Sequence, residues 1–374
     1  MEAQPYYRQI YESILKDISS GRLKTGDRVP SEKELCALYS VSRITSKKAL
    51  EMLSQQGIIS RFPGKGSFVT GDDFAKQTGT SRSIGFIIPD FGDSFGTKLI
   101  YGIEEACSSL DYRLVLKRTR DMMDQESNAI HRLAGTDIAG ILLLPIHGEY
   151  YNADILKLIL NRKPLVFVDR KLRGLAIPTV STDNIAATEL GVEYLFRLGH
   201  RHIAFYSGPV NYTSTIEDRK NGFIRAFANF GVHHDPALFC LDLTSIWSYP
   251  FYDHDRVASD VRLVKEHLSA HPEVSAAFVA EYAMTAIVKN AAEELGRRIP
   301  GDLSILSFDA PFTITGVPPL TYLCQDEYRI GKKAVELLHR IISGVDPASL
   351  SDVLVPAKLI AGASTASLDK NDIL

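Results

Sequence analysis

From residue 84 onward the chain alternates short apolar runs with amphipathic stretches, and this alternation limits its fold more than any other feature. The runs are Ile84–Ile88, Ile141–Leu144, Leu165–Val168, Ile203–Tyr206, Ala276–Val279 and Ile305–Ser307. Helical periodicity falls between them, near 97–110, 124–134, 185–198, 257–269 and 281–296. Runs of four or five apolar residues without polar alternation suit strands covered on both faces, and alternating βα units predict parallel sheets flanked by helices. The region is too long for one core, so it predicts two lobes. The lobes are expected at about 84–181 plus 310–322 and about 186–307 plus 327–362, within one domain spanning 84–365.

The first 70 residues read differently. They hold 11 Lys/Arg against 7 Asp/Glu, while the remainder has a balance of −7. A basic head on an acidic body points to a polyanionic partner for the head. Tyr7, Ile10, Tyr11, Ile14, Leu15 and Ile18 repeat with helical period and stop at Gly21. Ser31-Glu32-Lys33-Glu34 forms a capping box for a second helix with Leu35, Leu38 and Tyr39 inward. Ser42 caps a third helix, with Ala49, Leu50 and Leu53 inward and Arg43, Thr45, Lys47 and Lys48 on its opening turns. After Gly57 the period drops to two, and Pro63-Gly64-Lys65-Gly66 makes a hairpin tip. A basic helix of this kind can enter the major groove, and a glycine-lysine tip can approach a phosphate. Residues 1–70 are thus expected to be a winged helix-turn-helix domain that binds double-stranded DNA. Residues 71–83, GDDFAKQTGTSRS, read as a polar linker.

The stretches "G-x-L-x-x-G-D-R-V-P-S-E-K-E-L", "V-S-R-I-T-S-K-K-A-L" and "G-I-I-S-R-F-P-G-K-G-S-F-V" resemble the DNA-binding domain of the GntR family. That resemblance implies DNA contacts from Lys33, Arg43, Thr45, Lys47, Gly64 and Lys65. Lys33 stands where many relatives carry Arg, and Lys lacks the planar fork, so it would meet a phosphate rather than a base.

In open α/β sheets ligands sit beyond the carboxyl ends of strands. Polar and aromatic residues fall at those places here: Asp93, Phe95, Asp169, Arg170, Arg219, Glu281, Asp309 and Gln325. Planar Asp, Arg, Glu and Gln groups can bridge neighbouring hydroxyls, and an aromatic ring can cover the C–H face of a sugar. The local alternatives for single residues are an ion pair for Asp169-Arg170 and a turn for Asp309. Trp247 and Tyr249 could also reach a ligand or pack their own loop. "I-G-F-I-I-P-D", "P-L-V-F-V-D-R", "L-G-H-R-H-I-A" and "I-P-G-D-L-S-I-L-S-F-D" resemble the effector domain of the LacI/GalR family. The resemblance implies a two-lobed fold like that of periplasmic binding proteins, and effector contacts at those eight residues. Asp93 and Glu281 stand where Asn is frequent, so the role is plainer than the ligand. A GntR-type head on a LacI-type body is similar to the AraR group of arabinose repressors. It implies a homodimeric sugar-responsive repressor, with a pentose such as L-arabinose as one effector.

Other classes find little support. No P-loop, dinucleotide fingerprint, nucleophile elbow or H-E-x-x-H is present. His233-His234 reads as a surface loop pair, and the four cysteines lack metal-ligand spacing. No cofactor and no metal is therefore expected. The beginning of the chain lacks the apolar core of a secretory signal, and no run approaches a membrane span. A cytoplasmic protein without a membrane partner is expected. A sugar-transforming enzyme stays open as an alternative, since Asp93, Glu281 and Asp309 could supply carboxylates, as does a nucleobase or phosphosugar effector.

Overall fold

The computed structural model describes residues 5–20, 22–24, 26–55, 58–62, 65–69, 82–148, 152–210, 213–245, 253–311 and 316–368. The chain forms two units, Met1–Arg82 and Ser83–Leu374. Gly64, most of the expected linker, Trp247 and Tyr249 lie outside the described residues.

The first unit holds α1 (Tyr6–Ser19), α2 (Glu32–Tyr39) and α3 (Arg43–Gln55), with strands β1 (Arg28–Val29), β2 (Ile59–Phe62) and β3 (Gly66–Val69) in the order β1-β3-β2. Two-residue β1 is too short to show a period, and sequence reading missed it. The capping box forms as expected: Glu34 N–H donates to Ser31 Oγ (3.3 Å), and Ser31 N–H donates to Glu34 Oε2 (2.6 Å). The helices close over Ile10, Ile14, Leu35, Leu50 and Leu53, with Val29, Ile59 and Val69 from the sheet.

The second unit contains two six-stranded sheets. Lobe one uses β4 (Ser83–Ile88), β5 (Arg113–Arg118), β6 (Gly140–Leu143), β7 (Leu165–Val168), β8 (Thr179–Thr182) and β14 (Val353–Val355), all parallel, in the order β14-β8-β7-β6-β4-β5. One face packs on α4 (Thr97–Ser109) and α11 (Glu327–Ile342). The other packs on α5 (Met123–Ala134) and α6 (Ala153–Leu160). Lobe two uses β9 (Ile203–Tyr206), β10 (Phe239–Cys240), β11 (Ala276–Val279), β12 (Ser304–Phe308), β13 (Thr321–Cys324) and β15 (Lys358–Ile360), in the order β10-β9-β11-β12-β13-β15 with β15 antiparallel. Helices α7 (Asn184–Arg197) and α8 (Ser214–Asn229) cover one face, and α9 (His254–Ala270) and α10 (Tyr282–Glu294) the other. Burial on both faces explains why these strands are continuous apolar runs.

The tail of the chain corrects the expected division. Strand β13 belongs to lobe two, and α11 with β14 to lobe one, against the assignment of 310–322 and of the first part of 327–362; β15, at the end of that range, stays in lobe two as expected. The chain therefore crosses at Asp183, at Gln325–Asp326 and at 356–357, and not at Asp309. Asp309 stays in lobe two because its N–H donates to Leu323 O of β13 (3.0 Å). A strand and a helix separated by two residues look alike in sequence whichever sheet each joins.

Helices α4 and α11 meet backbone to backbone. A Cβ on Gly102 would sit 2.0 Å from Tyr328 O, and one on Gly331 would sit 2.4 Å from Leu99 O. Gly102 thus packs against α11, and the exposed residues of α4 are Tyr101, Glu104, Glu105, Ser108 and Ser109. Among the described residues no helix is long and apolar enough to cross a membrane, and no group of His, Cys, Asp or Glu could hold a metal ion.

Candidate functional site

Strands β4, β7, β11, β12 and β13 end around one cavity of about 140 Å³. Ser94, Phe95, Asp169, Arg170, Thr215, Arg219, Glu281, Tyr282, Ala283, Asp309 and Gln325 line it. Seven of the eight expected residues are therefore together. Asp93 is not: it is exposed, and its neighbour Ser94 faces the cavity instead. The tight turn explains the swap. Gly92 N–H donates to Phe95 O (2.8 Å), and this reversal turns Asp93 outward.

Asp169 and Asp309 follow β7 and β12 with φ of 63° and 60°. Non-glycine residues held there carry about 1–3 kcal/mol of strain each, which persists when surrounding contacts over-determine the turn. Asp169 N–H donates to Val180 O (2.8 Å), the counterpart of the Asp309–Leu323 bond. Burial pushes the carboxyl of Asp169 up, against the pull of Arg170 and Arg219. Burial also pushes Asp309 up to about 6, with Arg219 and Gln325 opposing.

Arg219 lies on α8, fully sunk beneath the cavity floor. Its Nε donates to Asn184 Oδ1 (2.8 Å) and its Nη1 to Ala280 O (2.6 Å), while the guanidinium stacks 3.7 Å from the centre of the Phe308 ring. Gln325 sits at a crossing between lobes. Its Nε2 donates to Asp309 Oδ2 (2.6 Å), and its Oε1 accepts from Thr182 Oγ1 (2.5 Å). Asp169 Oδ1 and Arg170 Nε are buried yet make no hydrogen bond to any described residue. The nearest Asp169–Arg170 approach is 3.8 Å, so the pair does not satisfy itself. Buried polar atoms without partners cost about 1–3 kcal/mol each, and a hydroxylated ligand would recover that cost.

Thr215 and Tyr282 are cavity residues that sequence reading missed. Both lie in the first turn of a helix; for Tyr282 the helix begins just past β11, and that placement was the available signal. Helix α8 was not anticipated as an element, so Thr215 had no frame.

In the head, Arg43 and Lys47 open α3, Lys33 lies in the first turn of α2, and Lys65 sits at the hairpin turn; all four are exposed. Thr45 is half-buried, its Oγ1 2.9 Å from Ser42 Oγ. Lys48 points elsewhere, with its Nζ 4.1 Å above the Tyr7 ring. Glu32 was not anticipated. It accepts from Arg43 Nε (3.2 Å) and from Arg61 Nη2 (2.6 Å), joining the third helix to the wing strand. Burial would raise the Glu32 carboxyl, but the two arginines hold it below its ordinary range.

Residues 6–69 match the family model for bacterial regulatory proteins of the gntR family, and residues 192–365 match that for a periplasmic binding protein-like domain. The arabinose metabolism transcriptional repressor of Geobacillus stearothermophilus is 25% identical over 97% of this chain and 98% of its own length. The ribose operon repressor of Halalkalibacterium halodurans is 28% identical over 76% of this chain and 80% of its own. Among solved structures, transcription regulator CcpA of Lactococcus lactis superposes with a TM-score of 0.65 at 20% identity, covering 76% of this chain and 99% of its own. The CelR–cellobiose complex covers 90% of this chain and 100% of its own, with a TM-score of 0.64 at 21% identity.

Proposed function

We propose that this chain, which joins a gntR-family regulatory head to a periplasmic-binding-protein-like body, is a transcriptional repressor of sugar-utilisation genes released from its operator by a monosaccharide. One observation carries the reading: a cavity between two lobes, lined by Asp, Glu, Arg and Gln, holds buried polar atoms that lack partners among the described residues. Similarity to arabinose and ribose repressors supports the sugar class. A cavity of about 140 Å³ resembles the engineered cavities of roughly 150 Å³ that hold one small ring, which favours a pentose or hexose over a disaccharide. L-Arabinose is the first candidate. Asp169, Arg170, Glu281, Asp309 and Gln325 would take hydroxyls, Arg219 would donate from the floor, and Phe95 would cover a C–H face.

In the head, Arg43 and Thr45 would reach the major groove, Lys33 and Lys47 phosphates, and Gly64 and Lys65 the minor groove or backbone. A homodimer would place two heads on a pseudo-palindrome, inside the cytoplasm where the DNA lies. Ligand closure across the crossings at Asp183, Gln325–Asp326 and 356–357 would favour one arrangement of the two heads. Typical coupling of this kind is about 1–3 kcal/mol, or roughly 5–150-fold in operator affinity. The test is to select an operator from random duplexes, then titrate the complex with L-arabinose, D-ribose, D-xylose, D-galactose and D-glucose. Release by one sugar at least fivefold more readily than by the others is expected. Unchanged affinity with all five would reject the reading.

A further inference from the structure

We propose that the buried carboxylates Asp121 and Glu126 are positioning residues for the effector: they clamp the Pro145–His147 turn, and the turn holds Arg170 at the crevice. This rests on the reading of the crevice as the effector site.

The turn leaves the carboxyl end of β6, and two acids that face no ligand grip it from below. Ile146 N–H donates to Glu126 Oε1 (3.1 Å). His147 N–H donates to Asp121 Oδ1 (2.8 Å), and His147 Nδ1 lies 2.8 Å from Asp121 Oδ2. A carboxylate at that distance places the ring proton on Nδ1. The 3.3 Å approach of Arg170 Nη1 to Nδ1 is then no hydrogen bond, and the bond that orients the guanidinium is Nη1 to Pro145 O (3.2 Å). Both acids are almost wholly buried, and Asp121 adopts a φ of 58° directly after Arg120 at 55°. Two consecutive left-handed residues are costly, and the Asp121 bonds to the turn help hold them, beside Arg120 N–H to Pro89 O (2.7 Å) and Met122 N–H to Thr119 O (3.1 Å). Burial works to raise Asp121, yet His147 and Arg170 hold its carboxyl below the usual range, so its charge reaches the arginine. Glu126 is steadied further by Asn152 Nδ2 (3.0 Å). None of Asp121, Glu126 or His147 lines the cavity. A buried acid pair kept at such cost, one bond away from a cavity arginine whose Nε makes no hydrogen bond to a described residue, fits a supporting shell for that arginine.

The test is a double-mutant cycle in the full chain, reading dissociation constants for the five sugars named above. Asp121→Asn and Arg170→Ala should each weaken binding of the effective sugar about tenfold, and the double variant should be no weaker than Arg170→Ala alone, because residues acting through one contact are not additive. Glu126→Gln should behave like Asp121→Asn, and stands in for it if that variant does not fold. Operator affinity without sugar should not change. Losses that multiply in the double variant, or an Asp121→Asn or Glu126→Gln variant with wild-type affinity, would overturn the proposal. If Arg170→Ala has no effect while Arg219→Ala does, the clamp is wrong and the crevice stands. If neither has an effect, or no sugar binds the wild type, the crevice reading falls and the clamp with it.

Discussion

The two lobes end a central strand in the same way and use the result differently. Asp169 after β7 and Asp309 after β12 share a left-handed φ and the same N–H bond to the neighbouring strand. Their carboxylates then diverge. Asp309 is tied on both oxygens to Gln325, at 2.6 Å and 3.4 Å, and through it to Thr182 of the other lobe. Asp169 keeps an oxygen with no hydrogen bond to a described residue and stands 3.8 Å from Arg170. One acid is wired into the crossing between lobes, while the other is left open to the cavity. On the proposed function the same turn would give one acid a ligand contact that is also tied to the other lobe, and the other acid a ligand contact alone, because the neighbouring side chains decide where the lone pairs go.

The strongest test of that contrast removes the cation both acids face. Arg219→Ala leaves buried charge uncompensated, which costs about 3–5 kcal/mol of stability. Denaturant unfolding should show that loss, and operator release by sugar should vanish. A variant with normal stability and response would break the comparison outright.

Asp309→Asn should come next, affecting both stability and effector binding. The folded pKa of Asp309, about 6, lies above its ordinary 3.8. The folded state therefore holds this proton more tightly, and stability present below pH 3.8 is lost as pH rises through about 6. Asparagine removes that loss, so the Tm of the variant should gain on wild type at pH 7.5 relative to pH 4. Wild-type sugar affinity should fall as pH drops below about 6 and the carboxylate is neutralised, whereas the Asn variant should bind more weakly, about tenfold, with a flatter profile. A wild-type affinity that is level from pH 7.5 to 5 would remove Asp309 from the ligand.

Asp169→Asn should separate the two properties. Loss of a charged hydrogen bond of about 1.5–3 kcal/mol should weaken sugar binding roughly 10–100-fold, with Tm unchanged or slightly raised because relief of the buried charge offsets the lost attraction of Arg170 and Arg219. A large drop in Tm would mean that Asp169 is structural, like its counterpart. The smallest effect belongs to Asp93→Ala. Its side chain is exposed outside the cavity, so calorimetric sugar affinity should stay within about twofold of wild type.

Much of this was legible in the sequence. The capping box at Ser31, the inward face of α3 at Ala49, Leu50 and Leu53, and the apolar strands all stand where periodicity put them. Asp169, Arg170, Glu281, Asp309 and Gln325 were readable because strand ends are marked by an abrupt change from apolar to polar, whereas Phe95 and Arg219 lie farther past their strands and were reached by the family resemblance. Asp93 and Ser94 were not separable that way, since a reversal one residue tighter or looser exchanges which of them faces inward. That Lys48 turns to the Tyr7 ring was not readable, because Tyr7 lies on another helix. Asp121 and Glu126 were not picked out: β5, which ends three residues before Asp121, was not among the expected strands, so both acids read as surface charges.

The sequence alone determined what local physics can decide: helix starts, strand burial, the winged head and the chemical character of the crevice. Each depends on residues within one turn or one strand of each other. Tertiary structure alone decided which lobe received β13 and α11, which oxygen of each aspartate found a partner, and which acids reach Arg170 through a turn. Those outcomes depend on contacts between segments distant in the chain, where packing and hydrogen-bond geometry choose among arrangements that local preference leaves equal.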